Sequence, residues 1–488
     1  MTLSSESNLS HATVRGAVWV YAAYYSGKLV VFLATAILAR VLTRDDFGVV
    51  GYVISLLGIL DIISDLGIGA AVVYYRDDKR IISTAFWLGL MVTITMCISV
   101  WVAAPLIGLF FNDPRAVWVA RILALNFPLS ALGSIQQSLL IKQLAFNRMF
   151  IPDFVRAMSK GLLSITLALI GFGPWSLVTG HLFGTLMAVL VIWQIVPWRP
   201  TFEFIAEKAR SLLKFGLPLV GVNSIGVLVL NVDYLLVGRY LSTEALGVYT
   251  LAFRIPELVI LQFCDIVAQV IFPVFTKIRD DSSALYKGFI ETIRHVALIT
   301  VPLGLGMMWL SNAFVQALFT DKWIDAVPLM RMISVYALLL SLGFNAGDVY
   351  KASGKPGILT RISFFKAIIL IPALYWAVTV PRSLIAVGWV QVSIAILGTV
   401  LNLGFAVKML NAPIRDMVNA FQPSFIAGAG LSLAVAGVLF VSETWSPWLT
   451  LIVGTLAGGA AYLCVLYIFY RDLSLNAVAV LFAALKRE

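Results

Sequence analysis

Apolar runs of more than twenty residues, bounded by charge, Pro and Gly, recur along almost the whole chain. About twenty such residues are what one helix needs to cross a bilayer. The runs fall near 16–39, 47–73, 82–108, 117–140, 150–172 and 174–196. After a polar, amphipathic stretch from Pro197 to Lys214, eight more fall near 215–237, 246–271, 290–312, 324–349, 357–380, 384–408, 420–441 and 447–470. This pattern predicts an all-α integral membrane protein with about fourteen transmembrane helices. Asp, Glu, Lys and Arg make up 12% of the 488 residues, about half the roughly 25% of a soluble domain, which excludes a soluble globule. The number of runs excludes a single-span receptor. The loops are short and carry turn chemistry, as in Gly171-Phe172-Gly173-Pro174, so none holds an extramembrane domain.

The formal charge of +10 would suggest nucleic acid in a soluble protein, but the basic residues alternate with the loops. With the N-terminus inside, the inner segments hold 21 Lys and Arg and the outer segments six: Arg40, Arg44, Arg115, Arg239, Lys322 and Arg382. This places both termini in the cytoplasm. The basic face then meets the anionic lipids of the inner leaflet, and no nucleic acid partner is implied. Met1 to Ser10 is polar, and the run after it is too long and interrupted for a cleavable signal peptide, so it is read as the first span. Cys97, Cys264 and Cys464 lie far apart inside apolar runs, which indicates neither a disulfide framework nor a metal site.

Two places 199 residues apart repeat one another: Leu38-Ala39-Arg40-Val41-Leu42-Thr43-Arg44-Asp45-Asp46-Phe47-Gly48-Val49 and Val237-Gly238-Arg239-Tyr240-Leu241-Ser242-Thr243-Glu244-Ala245-Leu246-Gly247-Val248. Arg, Leu, an acid, Gly and Val recur in register. Each copy ends one span, crosses an outer loop and begins the next. Six spans separate the copies, an even number, so the repeats are parallel and a cavity is expected between the halves.

The run Leu38–Tyr75, with its Arg-x-Leu-x-x-x-x-Phe-Gly loop and the later Asp61-Ile62-Ile63-Ser64-Asp65-Leu66-Gly67-Ile68-Gly69, resembles the start of Wzx-type polysaccharide flippases. These belong to the multidrug/oligosaccharidyl-lipid/polysaccharide exporter (MOP) superfamily. Leu144-Ala145-Phe146-Asn147-Arg148, Phe272-Pro273-Val274-Phe275-Thr276-Lys277-Ile278-Arg279-Asp280-Asp281 and Phe319-Thr320-Asp321-Lys322-Trp323 extend the resemblance, which is strongest to the colanic-acid exporter branch and runs from about 12 to 410. The resemblance implies two six-helix bundles around a central cavity, at 1–196 and 215–410, joined by the 197–214 linker and followed by two further helices and a tail at 411–488. It also implies residence in the bacterial inner membrane. The cargo would be a polyprenyl-pyrophosphate-linked oligosaccharide, flipped to the outer leaflet by alternating access for exopolysaccharide or O-antigen-like export, beside a polysaccharide polymerase and export machinery.

Cations inside spans carry the candidate chemistry, because Lys or Arg at a helix centre costs about 2.5–3.5 kcal/mol even on insertion scales. Lys28 lies half way along the first span with no acid near it in sequence, and Lys366 about ten residues into the eleventh. Arg156 and Lys160, four apart, share a face of the fifth. These four suit a pyrophosphate. Ion pairing with an Asp on a neighbouring helix is the plainer reading for Lys28 and Lys366, and snorkelling for Arg156 and Lys160. Arg254 and Glu257 flank Pro256, either as a structural pair or as a gate at a bent helix. Arg121, Arg294 and Arg331 lie near helix ends and read as anchors. Asp233, with Asn231 and Asn223 for polar company, is the first candidate for H⁺ or Na⁺ coupling; Asp61 and Asp65 on one face of the second span are the others. His181 beside Gly180 and Gly184 reads as a packing histidine that can also titrate.

No catalytic, metal or nucleotide-binding signature is present, so no cofactor and no enzymatic activity are expected. A cation-coupled drug or lipid II exporter of the same fold is the alternative. A membrane polymerase or acyltransferase is disfavoured by the short loops.

Overall fold

The computed structural model describes residues 26–74, 79–143 and 145–471. Outside them lie the start of the 16–39 run, Arg15, Arg76, Leu144, Lys486 and Arg487; the side chains of Asp65 and Asn223 are also outside the described set. Helix covers most of the described part of every apolar run, and no strand occurs among the described residues. Ten of the helices there are long and apolar enough to cross a membrane.

Packing divides the chain into two compact units, Met1–Thr250 and Leu251–Glu488. The first holds α1 (26–41), α2 (Arg44–Asp65), α3 (Ile68–Tyr74), α4 (Lys79–Phe111), α5 (Arg115–Ala124), α6 (Asn126–Lys142), α7 (Phe146–Leu169), α8 (Pro174–Ile195) and α9 (Ala206–Tyr240). Helix α10 (Thr243–Pro256) starts in it and runs on into the second. The second continues with a π-helical turn (Glu257–Leu261), α11 (Gln262–Ile278), α12 (Ser282–Phe319), α13 (Ala326–Gly343), α14 (Ala346–Ala352), α15 (Gly357–Thr379), α16 (Leu384–Leu410), α17 (Ile414–Val441) and α18 (Pro447–Phe469).

Several runs that read as one helix are broken. The run at 47–73 divides at Leu66 and Gly67, both left-handed with φ of 47° and 65°. Helix α9 lies against this break: a Cβ on Gly67 would meet Gly216 Cα at 2.7 Å, and one on Gly216 would meet the Leu66 carbonyl oxygen at 1.9 Å. Only glycine allows such an approach. The run at 246–271 loses its regular ladder after Pro256, where the missing N–H and the ring leave a π turn.

The stretch from Pro197 to Lys214 is half strap and half helix. Up to Ile205 it is non-helical, pinned along α4: the Trp87 indole donates to Thr201 O at 2.8 Å, the Thr201 hydroxyl to Ser83 Oγ at 2.9 Å, and Ile205 N to Thr84 Oγ1 at 3.2 Å. From Ala206 the chain is already α9.

In the first unit, α7 and α8 pack at near backbone contact. A Cβ on Gly180 would meet Ser164 Oγ at 1.9 Å, and one on Gly184 would meet Arg156 O at 2.8 Å. In the second, α12 packs on α17 and α18 around Leu310, Leu431 and Tyr462, and on α13 around Val301 and Leu338. Large apolar side chains such as Val102 and Leu109 in the first unit, and Leu433 and Phe440 in the second, face outward. Such extensive apolar exposure suits lipid rather than water.

Candidate substrate and coupling sites

The first unit encloses a cavity of about 290 Å³. Helix α2 supplies Asp61 and Ser64, α4 Thr93, α6 Ser130, Ser134 and Gln137, and α7 Asp153 and Arg156. The lining therefore carries one guanidinium, two carboxylates, hydroxyls and an amide, with apolar walls from α8. Arg156 reaches Asp153 through a single contact at 3.9 Å, with both side chains about half exposed. An open pair of this kind contributes only about 0.2–1 kcal/mol, so the guanidinium can exchange partners at little cost.

Lys28 belongs to the same neighbourhood, since it and Arg156 both act electrostatically on Asp153. Helix α1 is held there by Gly161 of α7, where a Cβ would stand 3.1 Å from the Ala34 Cβ. Lys160 takes a different direction, its Nζ lying 3.4 Å from His181 Nδ1 on α8. The shared helical face thus separates: Arg156 lines the cavity, while Lys160 meets the histidine. Asp61 lines the cavity too, whereas for Asp65 only its place at the end of α2 is described.

Asp233 is buried away from this lining. Its carboxylate accepts from the Tyr249 hydroxyl at 2.5 Å and from Tyr234 N at 2.9 Å. Asn231 turns back onto its own helix, donating to Val227 O at 2.9 Å. Tyr249, sixteen residues on, is the partner that sequence spacing did not reveal.

In the second unit, Lys366 projects from α15 across Gly398 of α16, where a Cβ would meet the lysine Cδ at 2.9 Å. It is half-buried and makes no hydrogen bond or ion pair among the described residues. Arg254 does pair with Glu257, at 3.2 Å, across Pro256 and into the π turn. Arg121 sits over two indoles, its guanidinium 5.0 Å from the Trp118 ring centroid and 5.7 Å from that of Trp101.

The repeated loops meet each other. A Cβ on Gly48 would lie 1.9 Å from the Thr243 carbonyl oxygen, and one on Gly247 would lie 2.0 Å from that of Arg44. Gly48 is equivalent to Gly247 and Arg44 to Thr243 in the repeat, so the contact is reciprocal, as about a two-fold axis. The loops cap their helices alike: the Thr43 hydroxyl accepts from Asp46 N at 3.1 Å and the Ser242 hydroxyl from Ala245 N at 3.0 Å. Beside them Arg115 bridges Asp45 at 2.5 Å and Asp113 at 2.8 Å. Burial pushes the Asp113 carboxyl up, but hydrogen bonds and charge from Arg115 outweigh it and hold it below the usual carboxylate range.

Comparison with known proteins agrees with this architecture. The chain is 27% identical over 469 residues to the teichuronic acid biosynthesis protein TuaB of Bacillus subtilis (strain 168), covering 94% of this chain and 96% of the relative. It is 26% identical over 374 residues to the lipopolysaccharide biosynthesis protein WzxC of Escherichia coli (strain K12), 75% of each. The fold matches that of the lipid II flippase MurJ in an inward closed conformation, with a TM-score of 0.77 at 17% identity, over 93% of this chain and 99% of that one. The family model described as polysaccharide biosynthesis protein matches residues 37–328, well over half of the chain, and the chain is therefore a member of that family.

Proposed function

We propose that this protein is a transporter that flips a polyprenyl-pyrophosphate-linked oligosaccharide from the cytoplasmic to the outer leaflet of the inner membrane by alternating access. The observation that carries the reading is the polar cavity of the first unit, where Arg156 is held, among the described residues, by one long contact to Asp153. A diphosphate offers a guanidinium several charged acceptors, and the pair can open to admit it. Lys28 adds charge beside it, and Lys366 is a second cation in the other unit with no partner among the described residues. The similarity to TuaB, WzxC and MurJ supports a carrier of lipid-linked sugars over an enzyme.

Asp61 is the leading coupling residue for H⁺ or Na⁺ because it lines the cavity. Asp233, tied to Tyr249, ranks below it, and Asp65 stays a candidate on its helical spacing. The division into parallel bundles at 1–196 and 215–410, with both termini cytoplasmic, is part of the same reading; the equivalence of the two contacting loops supports it.

The test is export of polymer by cells carrying Lys28→Ala, Arg156→Ala or Lys366→Ala at equal membrane abundance. Arg156→Ala is expected to lower export about tenfold or more, as loss of a charge-assisted contact worth more than about 1.4 kcal/mol requires. Arg156→Lys should keep part of it. Full export in all three alanine variants overturns the reading. Reconstitution with a fluorescent lipid-linked oligosaccharide under H⁺ or Na⁺ gradients identifies cargo and ion, and Asp61→Asn should abolish the gradient response. A MurJ-like fold also suits lipid II as cargo, and accumulation of lipid-linked repeat units in a deletion strain separates the two.

A further inference from the structure

A second cavity, of about 340 Å³, lies wholly within the second unit and is independent of the cargo reading. It is lined by Met308 and Trp309 of α12, Arg331, Met332 and Val335 of α13, Trp389 and Val392 of α16, and Leu439 of α17. Arg331 follows the start of α13 at Ala326 by five residues, Trp389 follows the start of α16 at Leu384 by five, and Leu439 is two from the end of α17 at Val441. At 1.5 Å per residue, all three stand within about 8 Å of one end of their helices. A cavity this close to the ends of membrane-spanning helices lies within reach of a lipid headgroup.

The lining is chemically one-sided. Arg331 is exposed and has no hydrogen bond or ion pair among the described residues. The Trp309 indole nitrogen is buried with no acceptor among the described residues. Both groups only donate, and no carboxylate lines the cavity. The remaining walls are thioether, aliphatic and indole surface, and Trp389 is exposed at the rim. An occupant must bring anionic acceptor oxygens for Arg331 and Trp309 and an apolar body for the methionines and valines.

We propose that this cavity binds one anionic phospholipid of the surrounding bilayer, its phosphate on Arg331 and the Trp309 N–H and an acyl chain along Met308, Met332 and Val392. A free anion would leave the apolar walls uncovered. A lipid without net charge brings either no phosphate or, as in phosphatidylcholine, a phosphate already partnered by its own ammonium, and matches the arginine less well.

The test uses the full chain purified in mild detergent, with lipid binding followed by native mass spectrometry during titration with phosphatidylglycerol or phosphatidylcholine. The wild type is expected to retain one phosphatidylglycerol about tenfold more tightly than phosphatidylcholine, and Arg331→Gln to remove that preference. Trp309→Phe, which deletes the donor and keeps the ring, should weaken retention several-fold and serves if Arg331→Gln folds poorly. Arg382→Gln, an exposed arginine in the α15–α16 turn outside the cavity lining, should leave it unchanged. Undiminished preference in both cavity variants, or equal loss in Arg382→Gln, overturns the proposal. So does displacement of the phosphatidylglycerol by equimolar polyprenyl pyrophosphate, which would make this a cargo subsite.

Discussion

Replacing Gly48 by alanine puts a methyl group 1.9 Å from the Thr243 carbonyl oxygen. Ordinary contact begins at 3.4 Å, so the two loops must part by about 1.5 Å, and the obstacle is backbone with no rotamer to yield. Overpacking of this kind costs about 1–3 kcal/mol. If the loops meet in one state of the transport cycle and separate in the other, that cost shifts the balance toward the separated state by about 5- to 150-fold. The assay is the labelling rate of Val248→Cys, a buried position beside Gly247, by a polar maleimide in a background lacking Cys97, Cys264 and Cys464. Gly48→Ala should speed labelling and slow transport. Gly247→Ala should do the same to the loop facing it, probed from Val49→Cys. Gly58→Ala, also on α2 but with nothing within 4 Å of its added Cβ, should change neither. Unaltered labelling in both loop variants, or an equal change in Gly58→Ala, would refute the reasoning.

Three further outcomes are expected. Because Asp113 has a depressed carboxyl pKa, its link to Arg115 stabilises fully above the ordinary value of 3.8 and is lost as pH falls through the lower folded value; acid melting curves of wild type and Asp113→Asn should converge at low pH. Tyr249→Phe removes the tyrosine's hydrogen bond to the buried Asp233 carboxylate and should cost about 1–3 kcal/mol in thermal or denaturant unfolding, part of it recovered by adding Asp233→Asn. Gly180→Ala should destabilise the α7–α8 contact less than Gly48→Ala does its own, because the atom it meets first is the Ser164 hydroxyl; Ser164→Ala in the same chain should relieve part of the cost, which a double-mutant melting series will measure.

Helix positions were legible because a hydrophobic run must stop where charge or a turn begins. Residues 384–408 became Leu384–Leu410, and 447–470 became Pro447–Phe469. Breaks inside runs were not, since hydropathy carries no information on a dihedral such as that of Leu66. Arg156 could be found from its cost in a membrane, and Asp153 from its spacing three residues earlier, yet the direction each takes depends on how closely α1 and α8 approach through Gly161, Gly180 and Gly184. Partners on other turns or helices, Tyr249 for Asp233 and His181 for Lys160, lie beyond any local periodicity. The repeated Gly48 and Gly247 were visible as a pattern, and their steric reason only in three dimensions.

The π turn at Glu257–Leu261 holds one residue more than the α-helical path would, and each residue of an α-helix advances the azimuth by about 100°. Every side chain of α11, from Gln262 and Asp265 to Lys277, is therefore re-aimed by that amount relative to α10. Deleting one residue there would restore an unbroken spiral and swing the remainder of the segment about a third of a revolution, leaving its composition intact while presenting a different surface to its neighbours.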